Sequence, residues 1–314
     1  MTNPEILVVA PIYAPALAEL EREFTVHKLW TAHDRGAFVK AISERVRGAV
    51  TTGAIGFTHG QFEALPKLEI LGCFGTPRSG TVDLAFAKAR GVIVTNTPDS
   101  ITEAVADLAL GLLIAVMRRI CASDRYLRAG KWLQGPAPPG REVRGKACGI
   151  VGLGRIGRGI ARRVEACGMS VCYHGPHRKP DVAWPYHADL ESMAREVDCL
   201  VLACPATPAT RNLVDARILD ALGPEGFLVN VSRGANVDET ALIAALTDGR
   251  IAGAGLDVFR DEPRVPPELI AMEQVVLVPH IGSSTLEVRE GRREKLLANL
   301  RAHFSGKPVP APVV

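Results

Sequence analysis

A chain of 314 residues exceeds what one average core requires, so two domains are expected, with one large α/β unit as the alternative. Its 47% hydrophobic, 23% charged and 5% aromatic composition suits helices packed on a parallel sheet better than a β-sandwich. A net charge of +3, from 37 basic and 34 acidic residues, lacks the basic excess of a nucleic-acid binder, so any basic patch must be local.

The N-terminal residues MTNPEILVVAPIY carry no basic n-region, and their apolar run is too short for a signal peptide. Short apolar or β-branched segments follow at 5–10, 49–52, 68–73 and 91–95, with helix-like stretches at 15–22 and 81–89. This alternation predicts a small βαβ domain over roughly the first 98 residues. Pro98 then breaks the strand, Asp99 and Ser100 are N-cap types, and Glu103 follows Ser100 at capping-box spacing.

The helix that starts there, AVADLALGLLIAVM at 104–117, is shorter than the ~20 residues of a membrane span and contains Asp107. A soluble, cytoplasmic protein with no membrane partner is expected. After the helix comes the Gly/Pro-rich arm GKWLQGPAPPGREVRG at 130–145. Helix and arm, 100–145, need a partner surface, either a second copy in a homodimer or an intramolecular seat between two domains.

From 146 a second series runs through ACGIVGL, SVCYH, DCLVLAC, GFLVNVS, IAGAGLDVF and VVLVPH, six strands with helical crossovers. The pattern predicts a doubly wound parallel sheet. One charged amphipathic helix begins at 284. The seven cysteines are odd in number, form no C-x-x-C pair and mostly sit in apolar runs, which reads as reduced, buried thiols. No metal site is expected.

Within GIVGLGRIGRGIARRVEACG an apolar strand leads into Gly152, Gly154 and Gly157 and on into a helix. G-x-G-x-x-G in that context allows a tight turn, backbone approach to a pyrophosphate and close helix packing, while the helix N-terminus offers N–H groups to the anion. The second strand ends near residue 173, where a carboxylate normally holds the adenosine ribose. Here His174 stands 17 residues beyond Gly157, and His177, Arg178 and Lys179 follow with no acid. Donors and positive charge attract a 2′-phosphate, so NADP(H) is the expected cofactor, with NAD(H) as the alternative.

Three motifs lie at the carboxyl ends of later strands, where open α/β sheets bind ligands: NVSRGANVD with Arg233, GLDVFRDEP with Asp257 and Glu262, and LVPHIGSS with His280. With LEILGCFG and GVIVTNTPDSITEAVADLALGLL, they make the chain resemble the D-isomer-specific 2-hydroxyacid dehydrogenase family, in its glyoxylate/hydroxypyruvate reductase branch. The resemblance covers nearly the whole chain. It implies a catalytic set of Arg233, Glu262 and His280. Hydride delivery to a 2-oxo acid leaves an alkoxide that needs a proton; protonated His280 supplies it, Glu262 orients the ring and steadies its charge, and Arg233 binds carboxylate and polarises carbonyl.

Further cofactor contacts implied by the resemblance are Leu153, Arg155 and Ile156 at the glycine turn, Cys204, Pro205 and Thr210 after the third strand, Ser232, and Asp257 at the nicotinamide amide. Thr210 reads equally as an N-cap, and Asp257 as a buried strand-end cap. The expected division is a smaller flavodoxin-like substrate-binding domain, 1–98 with 284–314, and a Rossmann-like dinucleotide-binding domain, 99–283.

The substrate loop, 74–84, departs from the family. Its members usually present backbone N–H groups to the substrate carboxylate, but here Pro77 removes a donor. Gly75 and Thr76 remain as substrate contacts, joined by Arg233 and His280, and Arg78 offers charge in place of the lost donor. The expected activity is NADPH-dependent reduction of a small 2-oxo acid, glyoxylate or hydroxypyruvate first. The alternatives are a 2-ketogluconate-type sugar-acid reductase and a non-enzymatic NAD(P)-sensing protein of the same fold.

Overall fold

A computed structural model of the chain describes residues 3–53, 55–77, 80–97 and 101–314. The chain forms two compact units, Met1–Ser100 with Thr285–Val314, and Ile101–Ser284. Both are parallel α/β structures.

The first unit opens with β1 (Glu5–Val8), α1 (Ala14–Glu23), β2 (Thr25–Lys28), α2 (Arg35–Ile42) and β3 (Val46–Thr52). It continues with α3 (His59–Glu63), β4 (Ile70–Phe74), α4 (Leu84–Ala89) and β5 (Ile93–Thr95). All pairings are parallel, in the order β2-β1-β3-β4-β5. This is the flavodoxin-type order. β4 is buried along its whole length, as a central parallel strand covered on both faces should be. Asp34, Thr58 and Asp83 each accept a first-turn N–H and so start α2, α3 and α4.

β2 has no counterpart among the sequence-predicted strands. Its four residues, TVHK, include one apolar side chain, Val26, and are only partly covered at the sheet edge, so they carry no apolar run.

The second unit begins with α5 (Thr102–Met117) and α6 (Ile120–Arg128). Next come β6 (Ala147–Val151), α7 (Arg155–Ala166), β7 (Ser170–His174), β8 (Tyr186–His187), α8 (Leu190–Glu196), β9 (Cys199–Leu202) and α9 (Ala216–Leu222). The unit ends with β10 (Phe227–Asn230), α10 (Glu239–Thr247), β11 (Gly253–Leu256), α11 (Pro267–Ala271) and β12 (Val275–Leu277). The sheet runs β12-β11-β10-β9-β6-β7-β8, so the chain starts centrally at β6, winds out one way to β8, then returns to β9 and winds out the other way. The direction reverses between β6 and β9, which is where a doubly wound sheet opens its ligand crevice. The two-residue β8 makes seven strands where the sequence pattern indicated six.

α5 buries Val105, Ala106, Ala109, Leu112, Leu113, Val116 and Met117 in the core shared with β6, α7, β9 and β10. Gly255 on β11 admits it: a Cβ there would lie 3.0 Å from Leu112 Cβ. The strong apolarity of α5 is therefore used inside its own unit, where the sequence had left a second copy and an intramolecular seat between the domains both open. The caps expected at Asp99 and Ser100, and Pro98 beside them, lie outside the described residues; α5 starts after Ile101, which makes no side-chain cap bond. α6 buries none of its residues, and Ile120, Leu127, Trp132 and Leu133 are exposed around it, Leu133 at 96%.

The last helix, α12 (Leu286–Phe304), returns to the first unit and packs Leu296, Leu297 and Leu300 with Ile6, Val8, Leu20 and Ile70. A Cβ at Gly72 would stand 2.5 Å from Leu296 Cδ1, so the glycine lets α12 rest directly on β4. Among the described residues no helix is long and apolar enough to cross a membrane.

Candidate active site and dinucleotide cradle

The glycine turn is built by sterics. Gly152 has φ +97, and a Cβ on it would lie 2.7 Å from the backbone of Cys204. A Cβ on Gly157 would stand 2.1 Å from Gly152 O. These two glycines let β6, the end of β9 and α7 close on one another. Gly154 is different, because a Cβ there meets nothing within 4 Å, and as N-cap of α7 it has no side chain to occupy the first-turn N–H groups. Open space above an uncapped helix N-terminus is the geometry a pyrophosphate requires. Leu153 is buried in the core, so only its backbone is available there. Arg155 is exposed and Ile156 half-buried on the first turn of α7.

The strand β7 ends beside this turn, since Gly152 N–H donates to His174 O at 2.9 Å. His174 Nδ1 lies 3.0 Å from His187 O, which fixes the ring against β8. The turn after it is shaped by Tyr173 and Tyr186, whose hydroxyls respectively accept from Lys179 N–H and donate to Gly175 O. His177 and Arg178 are exposed, and Lys179 is half-buried. The first carboxylate beyond them, Asp181, is held bidentately by Arg158 of α7 and sits below the usual carboxylate range for that reason.

Cys204 is buried, and desolvation pushes its thiol up to about 11. Pro205 O accepts from the Thr210 hydroxyl at 2.7 Å, and the same hydroxyl accepts from Thr207 N–H. Thr210 thus locks the 205–210 turn, but the N-cap is Thr207 and Thr210 answers it from the third position of the capping box, which corrects the N-cap reading. Ser232 is buried with Asn230 and Asn236: its hydroxyl bonds Asn230 Oδ1 at 2.7 Å and accepts from Asn236 Nδ2, which also donates to Cys204 O. This asparagine network joins the ends of β9 and β10. Nothing in the sequence singled out Asn230 or Asn236, although both fall inside the quoted NVSRGANVD motif.

Arg233 follows β10 and is exposed; it donates to Ser232 O at 2.6 Å and has no carboxylate partner among the described residues. Gly234 permits its placement, because a Cβ there would stand 2.1 Å from the backbone of Phe259. The S-R-G loop and the segment leading to Glu262 are therefore in direct contact.

Glu262 Oε2 lies 2.7 Å from His280 Nδ1, and its Oε1 accepts from Phe259 N–H. A carboxylate accepts only, so Nδ1 carries the shared proton and Nε2 is the nitrogen left to exchange one. Nε2 has no partner among the described residues. His280 sits at φ +53, a left-handed conformation that costs a non-glycine residue of order 1 kcal/mol. Asp257 holds it there. Its backbone O accepts from His280 N–H, and its carboxylate accepts from Ile281 N–H at 2.6 Å and Gly282 N–H at 3.0 Å. Burial pushes the Asp257 carboxyl above its ordinary range against those bonds. The structure thus gives Asp257 the strand-end cap role.

In the first unit, Gly75 has φ +108 and donates its N–H to the Thr97 hydroxyl at 2.9 Å. Thr76 is exposed, its O packed where a Cβ on Gly53 would intrude. Arg78 lies outside the described residues. No cluster of three or more His, Cys, Asp or Glu suited to a metal occurs among the described residues.

Residues 110–282 match the family model described as the D-isomer specific 2-hydroxyacid dehydrogenase, NAD binding domain. This chain belongs to that family. It is 44% identical over 314 residues, the whole of both chains, to glyoxylate/hydroxypyruvate reductase A HPR2 of Arabidopsis thaliana. It is 39% identical over 313 residues to the 2-ketogluconate reductase of Gluconobacter oxydans, covering 100% of this chain and 99% of that one. The NADPH-dependent glyoxylate/hydroxypyruvate reductase of Sinorhizobium meliloti, solved with NADP and malonate, superposes with a TM-score of 0.87 at 41% identity, covering 100% and 97%. Membership in the D-2-hydroxyacid dehydrogenases accounts for the strand order of both sheets and for a nicotinamide cofactor on the second unit.

Proposed function

We propose that the protein reduces small 2-oxo acids, glyoxylate and hydroxypyruvate first, to D-2-hydroxy acids with NADPH. The observation that carries this reading is the 2.7 Å His280–Glu262 pair, which leaves His280 Nε2 as a proton donor in a unit that also bears an open glycine cradle. The bound nicotinamide supplies the hydride.

His280 Nε2 gives its proton to the oxygen of the carbonyl as charge develops there, and Glu262 steadies the ring before and after the transfer. Arg233, with no carboxylate partner among the described residues, binds the substrate carboxylate and polarises the carbonyl. Gly152, Gly154 and Gly157 with the first turn of α7 hold the pyrophosphate, and Cys204, Pro205 and Ser232 border it through backbone. His174, His177, Arg178 and Lys179 receive the adenosine 2′-phosphate; the side chains of His177, Arg178 and Lys179 have no ion pair among the described residues. Asp257 keeps His280 and the 280–282 segment in place beside the nicotinamide. Gly75 and Thr76 are further contacts for the substrate in this reading.

The exposed apolar side chains of α6 and the arm, Ile120, Leu127, Trp132 and Leu133, support a homodimer formed through this surface. A light-scattering mass of two chains that falls to one on Leu133→Asp tests it.

Initial rates with NADPH and NADH against glyoxylate, hydroxypyruvate, 2-ketogluconate and longer 2-oxo acids test the activity. Highest kcat/KM on 2-ketogluconate would move the assignment to a sugar-acid reductase, for which the 39% identity to the Gluconobacter oxydans enzyme is the supporting observation. Tight NADP(H) binding with no turnover on any of them would make the protein a cofactor-sensing binder.

A further inference from the structure

We infer that Arg292, on α12, is a substrate-binding residue that supplies the carboxylate site with the donors its loop has lost. The inference rests on the proposed 2-oxo acid reductase activity.

The loop after β4 is poor in donors. Gly75 N–H is already given to the Thr97 hydroxyl, and Pro77 has none to give. Of the described residues 75–77, Thr76 alone keeps a free backbone N–H. A single N–H is a weak anchor for a carboxylate, whose two oxygens take up to four hydrogen bonds.

A guanidinium lies against this loop. A Cβ built on Gly75 would stand 3.8 Å from Arg292 Cζ and 3.9 Å from its Nε. Arg292 Nε is buried and has no hydrogen-bond partner, and the side chain has no ion pair among the described residues. Burial, then the charge of Arg289, hold Arg292 below the ordinary guanidinium range, and no carboxylate offsets them. Other arginines of α12 are paired: Arg293 with Glu19 and Glu290, Arg301 with Glu19 and Glu23. An orphaned buried donor in a charged group is costly unless a ligand satisfies it.

The position is also fixed. Leu296, one turn further along the same face of α12, rests on Gly72 of β4, and Asn299 donates to Asn96 O and accepts from Ala311 N–H. Arg292 therefore cannot drift from Gly75 without lifting the helix off the strand. The absent Cβ at Gly75 leaves the guanidinium an open approach to whatever the loop receives. The planar fork suits a carboxylate held two-pronged, which is the group common to all 2-oxo acids.

The test uses the full-length protein and its variants Arg292→Met and Arg292→Lys. Arg292→Met should raise KM for glyoxylate and hydroxypyruvate, and Ki for the unreactive dicarboxylate malonate, at least about 10-fold, the loss expected for one charged hydrogen bond. KM for NADPH should stay within twofold and kcat should fall less than KM rises; Arg292→Lys should recover part of the loss. In the unmodified protein, malonate should slow phenylglyoxal labelling of the Arg292 peptide, a readout that needs no variant to fold. Unchanged oxo-acid KM and malonate Ki in Arg292→Met, or no protection by malonate, overturns the role of Arg292 while leaving the reductase reading intact. An unmodified protein that neither reduces 2-oxo acids nor binds malonate overturns both.

Discussion

His280 Nδ1 stands 2.7 Å from Glu262 Oε2, and this one hydrogen bond decides which ring nitrogen can exchange a proton. If Nε2 is the donor, His280→Asn should lower kcat on hydroxypyruvate by about 10³, within the usual range for a lost general acid. Glu262→Gln keeps a hydrogen-bonding side chain but loses the charge that steadies the ring, and should cost about 10- to 100-fold in kcat with KM for NADPH unchanged. Steady-state kinetics of both variants would decide it; wild-type rates in either would remove the pair from the chemistry.

The turn after β7 predicts a selective effect on one cofactor. Arg178→Ala should raise KM for NADPH by roughly 10- to 100-fold, the value of one charge-assisted hydrogen bond to phosphate, and leave KM for NADH within twofold. Equal losses with both cofactors would return the basic turn to an ordinary solvated surface.

Two glycines of the cradle should separate stability from binding. Gly154→Ala places its methyl group in open space at a φ of −83, so the melting temperature should hold while cofactor affinity falls. Gly157→Ala drives a methyl to 2.1 Å from Gly152 O, and should lower the melting temperature as well. Calorimetry beside fluorescence titration with NADPH reads both. A stable Gly157→Ala protein would mean that α7 does not pack on the turn as described.

Acid stability carries a sign that can be checked at Asp198. Burial works to raise its carboxyl, but the Ala147 N–H at 2.8 Å and Lys146 at 2.9 Å win and hold it below the ordinary range. A carboxyl depressed in the folded state contributes stability above its unfolded value, about 4, and loses it as pH falls through the lower folded value. Asp198→Asn should therefore melt below the unmodified protein at pH 7, the gap closing as pH falls through the lowered folded value. A gap that is constant with pH would mean the charge of Asp198 is not what joins β6 to β9.

The parts of the fold and site that the sequence made legible are those whose cause is local. Gly152, Gly154 and Gly157 declare themselves because strand, turn and helix are contiguous, and Arg233, Glu262 and His280 follow strands with strong apolar runs. What escaped is either short or remote. β2 and β8 lie at sheet edges, where few residues are covered and no periodicity develops. Thr97 takes the Gly75 N–H from 22 residues away, and Arg292 reaches that glycine only because α12 folds back on β4. The strong apolar signal of α5 was real, but apolarity does not say whether a sheet or a second chain will cover it.

That return of α12 also sets a schedule for synthesis. Ile6, Val8, Leu20, Val50 and Ile70 form one face of the first unit's core, and their cover, Leu296, Leu297 and Leu300, is translated about 200 residues after β5. At ribosomal rates this is a wait of about 10–40 s, during which that face of the core lacks the cover of α12. The core of the first unit is thus closed only when the last helix is made, whereas the second unit is encoded without interruption.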